Sequence, residues 1–300
     1  MNRKLRMGMV GGGKDAFIGA IHRLAANMDG LIEVKCGALS INPEIALASG
    51  EALFLPKERT YLTYEEMITK EAQLPAEERI DFVTIVTPNF AHFAPAMMAL
   101  DHGFHVVIEK PITFTLEEAK LLKQKVEETG LLLCLTHTYS GYPLVKQARQ
   151  MFKEGVFGKI RKVWVEYPQG WLSKLSEREG NAQAAWRTDP SKSGISGCMG
   201  DIGTHAAHLA EYISGLKKYM YDSLVNNIPS VSFNGDTFGD SLYTLLSVNF
   251  PKNQKTEMLL FNLDIQHICA SGGSACSSGA QQGSHVIAAL HKPSDIVTVR

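Results

Sequence analysis

The chain has 300 residues, 45% of them hydrophobic and 20% charged, with a net charge of -1. That length suits two domains. The near-neutral balance leaves no basic field for nucleic acid, and apolar runs such as 131–135 are far too short to span a bilayer. No secretory apolar segment follows the basic N-terminus, and the five cysteines (36, 134, 198, 269, 276) lack CxxC spacing. A reducing, cytoplasmic setting without a disulfide framework is expected.

Residues 6–10 form a short apolar run ending in glycines, which predicts a buried strand. Helical spacing follows over 16–28, a strand over 32–39, and a helix over 43–53 with Asn42 as its cap. A short helix over 64–69 and a polar connection over 73–79 lead to a β-branched strand at 81–87. Next come a helix over 92–102, a strand over 105–109, a helix over 116–129 closed by Gly130, and a strand over 131–136. Strands alternating with helices predict parallel βαβ units. Residues 1–136 therefore read as one doubly wound α/β domain.

The second part is less regular. A helix is predicted over 142–154, a strand of alternating character over 161–167, a long polar irregular stretch over 172–197, and a helix over 204–212. Beyond Gly215 the expected elements are helices over 217–226 and 256–263, strands over 242–250 and 268–270, a helix over 284–290 and a strand over 296–299.

The first turn, Gly11-x-Gly13-x-x-Ala16, sits between strand and helix. Glycines there allow a pyrophosphate to approach, and the helix start offers unpaired N–H groups. The end of the second strand carries Ser40 where an acid often meets the adenosine ribose, so NAD and NADP both stay open. Ser40 also reads simply as the start of a turn.

Three elements carry a resemblance: Thr87-Pro88-Asn89 at a strand end, Glu109-Lys110-Pro111, and Gly200-Asp201-Ile202-Gly203-Thr204-His205. In order and spacing, residues 5–215 resemble the Gfo/Idh/MocA oxidoreductases. That family pairs a dinucleotide-binding domain with an open-sheet domain for a sugar, cyclitol or sugar-derived substrate. The resemblance implies residues 1–136 as the Rossmann domain and 137–215 as a truncated start of the substrate domain. It also implies catalytic roles for Lys110, Asp201 and His205. An ammonium there stabilises charge on the substrate oxygen, and an imidazole suits proton exchange. Asp201 and His205, four apart at a helix start, share a face. By the same resemblance Gly11, Gly13, Ser40, Thr87, Asn89, Glu109, Lys110, Trp186 and Arg187 line the coenzyme, with the indole as a wall and the guanidinium as an anion contact. A cis bond before Pro111 is expected. Plainer readings stand beside these: Lys110 as a surface lysine, Asp201 as a helix cap, and Asp201, His205 and His208 as a mimic of a metal face that lacks a fourth ligand. No metal is expected. His137 and Tyr139 either line the site or pack.

Residues 216–300 resemble instead the C-terminal part of a cysteine desulfurase, on the Val231–Asp236 run and Ser271-Gly272-Gly273-Ser274-Ala275-Cys276-Ser277-Ser278-Gly279. In that family the loop cysteine takes sulfur from a pyridoxal-phosphate adduct, and Arg300 matches an arginine for the substrate carboxylate. The Schiff-base lysine and pyridine partner lie in a portion whose motifs are missing, so pyridoxal phosphate is not expected and Cys276 reads as a surface thiol. The whole is thus an α/β chain with a smaller α+β region of composite origin. Three functions follow: hydride transfer with NAD or NADP on a small hydroxylated substrate; a non-catalytic dinucleotide binder or junction product; and sulfur transfer through Cys276. A small-molecule partner is expected, nucleic acid and membrane are not, and a homo-oligomer is left open.

Overall fold

The computed structural model describes residues 3–14, 16–160, 162–194, 196–235, 237, 246–254, 256, 258–266, 268, 270 and 296–299. The chain divides into two compact units, residues 1–141 with 166–206, and residues 142–165 with 207–300.

The first unit is built on five parallel strands in the order β2-β1-β3-β4-β5: β1 (Leu5–Val10), β2 (Ile32–Ala38), β3 (Phe82–Ile85), β4 (His105–Ile108) and β5 (Leu133–Leu135). Helices α1 (Phe17–Met28), α2 (Pro43–Ala52), α3 (Tyr64–Gln73), α4 (Phe93–Asp101) and α5 (Leu116–Thr129) connect them. The alternation legible in the sequence is therefore observed, with most ends trimmed by a residue or two, while α3 runs on to Gln73, four residues past its expected end, and β1 begins one residue early.

Caps explain several helix starts. Asn42 Oδ1 accepts from the main-chain N–H of Glu44 and Ile45, and Thr115 and Glu118 form a reciprocal capping box. Gly130 ends α5 in the left-handed conformation. Phe104, Ile85, Ile108, Leu100 and Leu122 pack under the sheet as one apolar cluster. Glu71 is fully buried within reach of that cluster. It accepts from Arg59 Nε (2.9 Å) and from the Tyr61 hydroxyl (3.0 Å), which ties α3 to the segment before it.

The strand order reverses direction beside β1, and loops leaving the C-terminal ends of β1, β3 and β4 meet there. This is where open α/β sheets hold ligands. From 166 to 203 the described residues form short helical pieces: α7 (Ala182–Arg187), α8 (Pro190–Ser193), single turns at Gly170–Leu172 and Ser176–Glu179, and a π-helical turn at Met199–Gly203. That turn leads into α9 (Thr204–Ser214).

The strand expected at 161–167 is not formed. Residues 162–169 have no regular structure, and Val163, Trp164 and Val165 are exposed. An alternating pattern becomes a strand only when a neighbour pairs its backbone, and no described strand pairs with this one.

The second unit holds α6 (Pro143–Lys153), α10 (Leu216–Asn227) and α11 (Leu259–Ile265), with an antiparallel sheet β6-β7-β8. Its strands are β6 (Ser232–Phe233), β7 (Val248–Pro251) and β8 (Ile296–Val299). Asn249, buried on β7, exchanges amide hydrogen bonds with Asn234 (2.9 and 3.0 Å) and accepts from Thr298 Oγ1 (2.7 Å). One polar side chain thus pins all three strands. The helix expected from 256 starts at Leu259. The strand expected over 242–250 is seen from Val248, with 242–245 outside the described residues. Ile268 and Ala270 carry no strand. The helix expected at 284–290, Cys276 and Arg300 also lie outside the described residues.

Helix α1 meets the first turn in a close backbone contact. A Cβ on Gly19 would lie 2.4 Å from Gly12 Cα and 2.6 Å from Gly12 O, and these are backbone atoms that cannot rotate away. Gly19→Ala is expected to destabilise the first unit by about 1–3 kcal/mol. Gly141→Ala, which meets nothing within 4 Å, should stay within about 0.5 kcal/mol of the parent. Urea unfolding of both variants checks this, and equal midpoints would refute the close contact.

Candidate functional site

A cleft of about 480 Å³ opens at the C-terminal edge of the sheet, within the first unit. Its walls include Thr87 and Asn89 from the turn after β3, Glu109 and Lys110 after β4, and Trp186, Arg187 and Asp201 from the irregular segment. Seven residues singled out in the sequence therefore converge on one hollow.

Lys110 sits next to a cis Lys110–Pro111 bond. Its ammonium donates to Asp201 Oδ1 (2.5 Å) and to the Asp201 carbonyl (3.0 Å). The other carboxylate oxygen accepts from Arg187 Nε (2.9 Å). Burial works against charge on Asp201, but the hydrogen bond and charge of Lys110, with those of Arg187, outweigh it and hold the carboxyl below its ordinary range. The Arg187 guanidinium stacks between Trp186 and Trp171, 4.3 and 5.4 Å from their ring centres. The sequence reading gave Arg187 to a coenzyme anion; here its Nε is turned to Asp201, the nearer anion.

Glu109 lies on the other side of Lys110. His22 Nε2 on α1 donates to Glu109 Oε1 (2.8 Å), and the Lys110 main-chain N–H donates to Oε2 (3.2 Å). Burial opposes its charge, while His22, Thr136 and Lys110 favour it, and the balance lowers this carboxyl as well. The order His22, Glu109, Lys110, Asp201, Arg187 alternates basic and acidic groups across the cleft floor.

Asp201 is not a cap on the helix carrying His205. It lies in the π-helical turn that precedes α9. His205 is buried beside this turn, its ring 4.7 Å from Tyr139 and 5.5 Å from His137, centre to centre. Tyr139 in turn shares a hydroxyl hydrogen bond with Tyr167. So His137 and Tyr139 pack on the imidazole, and His205 is not among the residues lining the cleft.

Gly11 and Gly12 take positive φ (79° and 74°). The Gly11 and Gly13 N–H groups donate to the carbonyls of Ala38 and Leu39 (2.9 and 3.0 Å) and are thus spent on the end of β2. Helix α1 begins at Phe17 with no side-chain cap on its first N–H groups, and Ala16, Phe17 and Ile18 line the cleft. The Ala16 N–H is spent on Gly13 O (2.9 Å), so the donors a pyrophosphate would meet are those of Phe17 and Ile18. A Cβ on Gly13 would lie 2.7 Å from Leu39 O, so the turn admits only glycine there. Ser40 does not line the cleft; its Oγ accepts from the Asn42 N–H (3.1 Å) as a turn starter does. Two contributors went unread in the sequence: His22, and Arg23, whose Nη1 donates to Gly12 O (2.6 Å). They are neighbours on α1, and nothing in their local spacing pointed to Glu109 or to Gly12.

Among the described residues no group of three or more His, Cys, Asp or Glu side chains is placed to hold a metal ion, and no helix is long and apolar enough to cross a membrane.

Comparison with known proteins agrees with this architecture. Residues 5–157 match the model of the oxidoreductase family with NAD-binding Rossmann fold, and residues 145–235 match the Gfo/Idh/MocA C-terminal domain. The second match passes Gly215 and takes in residues 231–235, so the end of the family pattern read at Gly215 is overturned. An uncharacterized oxidoreductase, YfiI, of Bacillus subtilis is 33% identical over 71% of this chain and 54% of its own length. Levoglucosan dehydrogenase of Pseudarthrobacter phenanthrenivorans is 30% identical over 71% and 52%. The crystal structure of an inositol dehydrogenase homolog complexed with NAD+ from Azotobacter vinelandii superposes with a TM-score of 0.68. It is 35% identical and covers 78% of this chain and 56% of that one. The chain spans about half the length of the curated relatives it matches. With the Rossmann match running through the glycine turn and the Lys110 loop, and the C-terminal match through Asp201, the chain belongs to the Gfo/Idh/MocA oxidoreductase family.

Proposed function

We propose that this chain is an NAD- or NADP-dependent oxidoreductase that moves hydride between the nicotinamide and a hydroxyl-bearing carbon of a sugar, cyclitol or sugar-derived compound. The observation that carries this reading is the Lys110 ammonium fixed by Asp201 within the cleft where the strand order reverses. The named activities of the levoglucosan and inositol dehydrogenase relatives support the substrate class.

The coenzyme fits the residues present. The glycine turn leaves no room for a Cβ at Gly13, and the uncapped start of α1 offers donors for its pyrophosphate. Thr87, Asn89 and Trp186 wall the nicotinamide end, and the hydroxyl of Ser40 serves the adenosine end. When bound, the coenzyme supplies the hydride acceptor or donor. Lys110 donates a hydrogen bond to the substrate oxygen and stabilises the negative charge that grows there. Asp201, kept ionised by two cations, holds that ammonium in place and accepts from a substrate hydroxyl. The proton-exchange role of His205 rests on the sequence motif alone, since its ring is buried and outside the cleft lining. Arg187 acts through Asp201. A homo-oligomer and a cytoplasmic setting are further parts of this reading.

A second reading concerns the tail alone. The Ser271–Gly279 run favours descent of that stretch from a cysteine desulfurase, carried as a passenger in a composite chain. Incubation with cysteine and pyridoxal phosphate is then expected to leave no persulfide on Cys276, by mass spectrometry. A persulfide there would make the tail active.

Two outcomes test the redox reading. Titration with NADH and NADPH is expected to quench indole fluorescence saturably, and a panel of polyols and cyclitols to give turnover. Lys110→Ala should then lower kcat by about 10²–10³-fold without unfolding the chain. A folded chain that binds neither coenzyme would end the proposal. The second outcome is a pH dependence. Asp201 and Glu109 have folded pKa values below the unfolded ones, about 3.9 and 4.3 for free side chains. Both therefore contribute stability above that range, which is lost as pH falls through the lower folded values. The urea midpoint should drop as pH falls below about 4, and Asp201→Asn should flatten the slope. Parallel curves for parent and variant would contradict the assignment.

A further inference from the structure

One buried side chain touches both loops of the cleft without lining it. His92, at the start of α4, is 1% exposed. Its Nδ1 lies 2.8 Å from the Pro111 carbonyl and its Nε2 lies 2.8 Å from the Thr87 carbonyl. Thr87 opens the turn that carries Asn89, and Pro111 follows Lys110. One imidazole therefore spans the two loops that close the cleft from the β3 and β4 sides.

The chemistry of this contact is directional. A carbonyl oxygen only accepts, so each bond needs an N–H from the ring. The neutral ring ties one loop by donation and the imidazolium ties both. Burial pushes the imidazole's pKa down, while the two carbonyls and the Glu109 carboxylate favour its charged form. The same turn is reinforced on its other sides. Thr87 Oγ1 donates to the Ala91 carbonyl (2.9 Å), and Asn89 Nδ2 donates to the Ser193 carbonyl (2.9 Å). The Lys110 loop has no comparable hold on the Thr87 turn except His92 among the hydrogen bonds of the described residues.

We propose that His92 is a positioning residue: its ring, seated between the Thr87 and Pro111 carbonyls and donating its N–H to one of them, sets the spacing of the two cleft loops and so the aim of the Lys110 ammonium. This rests on the reading of Lys110 as the group that meets the substrate oxygen. A displacement of about 1 Å at such a group can cost on the order of 10²-fold in rate.

The test uses three variants of the full chain. His92→Phe keeps the ring's bulk and removes both ring nitrogens. His92→Asn places an amide N–H near the position of Nδ1, facing Pro111. His92→Gln places one near Nε2, facing Thr87. Hydrogen exchange read by mass spectrometry is expected to rise in residues 86–91 and 109–113 of the Phe variant, with β1 and β2 unchanged. The Asn variant should keep the Lys110 loop protected, and the Gln variant the Thr87 turn. In turnover, His92→Phe should lower kcat tenfold or more while the coenzyme Kd moves less than threefold, and Asn should recover more of kcat than Gln.

Unchanged exchange in both loops of a folded Phe variant would overturn the proposal. So would a uniform rise across all five strands in all three variants, which marks general destabilisation. A parent chain that binds coenzyme but turns over no substrate would count against the redox reading alone; the exchange pattern would still decide whether His92 holds the loops.

Discussion

The Asp201 carboxylate, shared between Lys110 and Arg187, is the constraint on which the rest of the cleft depends. Lys110 leaves the sheet after β4, and Asp201 arrives much later in the chain, so their bond closes a long loop and carries its entropic cost. Both side chains are mostly buried, 18% and 15% exposed. Desolvating such a pair offsets most of its attraction, so it contributes little to net stability. What it contributes is location. An ammonium held by a carboxylate and a carbonyl cannot swing into solvent, and the carboxylate is held in turn by a guanidinium packed between two indoles.

That arrangement explains why an irregular segment can form half of a site. Before α9 begins at Thr204, the described residues from 166 on form no long helix and no strand, yet they are pinned at several points. Asn89 donates to Ser193 O, Asp201 takes both cations, and Gln183 accepts from Arg187 and Trp186. Side-chain bonds do here what ladder hydrogen bonds do in the sheet. The sheet sets where β3 and β4 end; the charges then set where the segment lies against them.

The difference between what was legible in the sequence and what was not follows from the same physics. The alternating elements of residues 1–136 announce themselves through local signals: the β-branched run of β3, the Asn42 cap and the Gly130 stop. The site motifs were legible as types, because Glu109-Lys110-Pro111 and the Asp201 turn keep their order. The partners were not. That Arg187 turns to Asp201, that His22 reaches Glu109 and that His92 bridges two carbonyls are long-range facts with no local spacing to reveal them. The strand expected at 161–167 failed for a related reason. Alternation describes which face a strand would show, whereas existence as a strand depends on a neighbour the sequence pattern does not contain.

The glycine turn carries this reasoning one step further. The N–H groups of Gly11 and Gly13 are often pictured as reaching for phosphate, but here both donate to the end of β2. Glycine is required at these positions for shape: positive φ at Gly11 and Gly12, and close passage of Gly13 under Leu39 O and of Gly12 against Gly19. The turn is thereby rigid before any ligand arrives, with Arg23 bonded to Gly12 O from behind. The free donors belong to the first turn of α1, whose position the turn dictates. Anion affinity at this end then depends on how closely α1 approaches the strand, and the Gly12–Gly19 contact sets that distance. The same helix carries His22 to Glu109, beside Lys110. A single close contact between two glycines therefore positions both the uncapped first turn of α1 and the His22 end of the charged row.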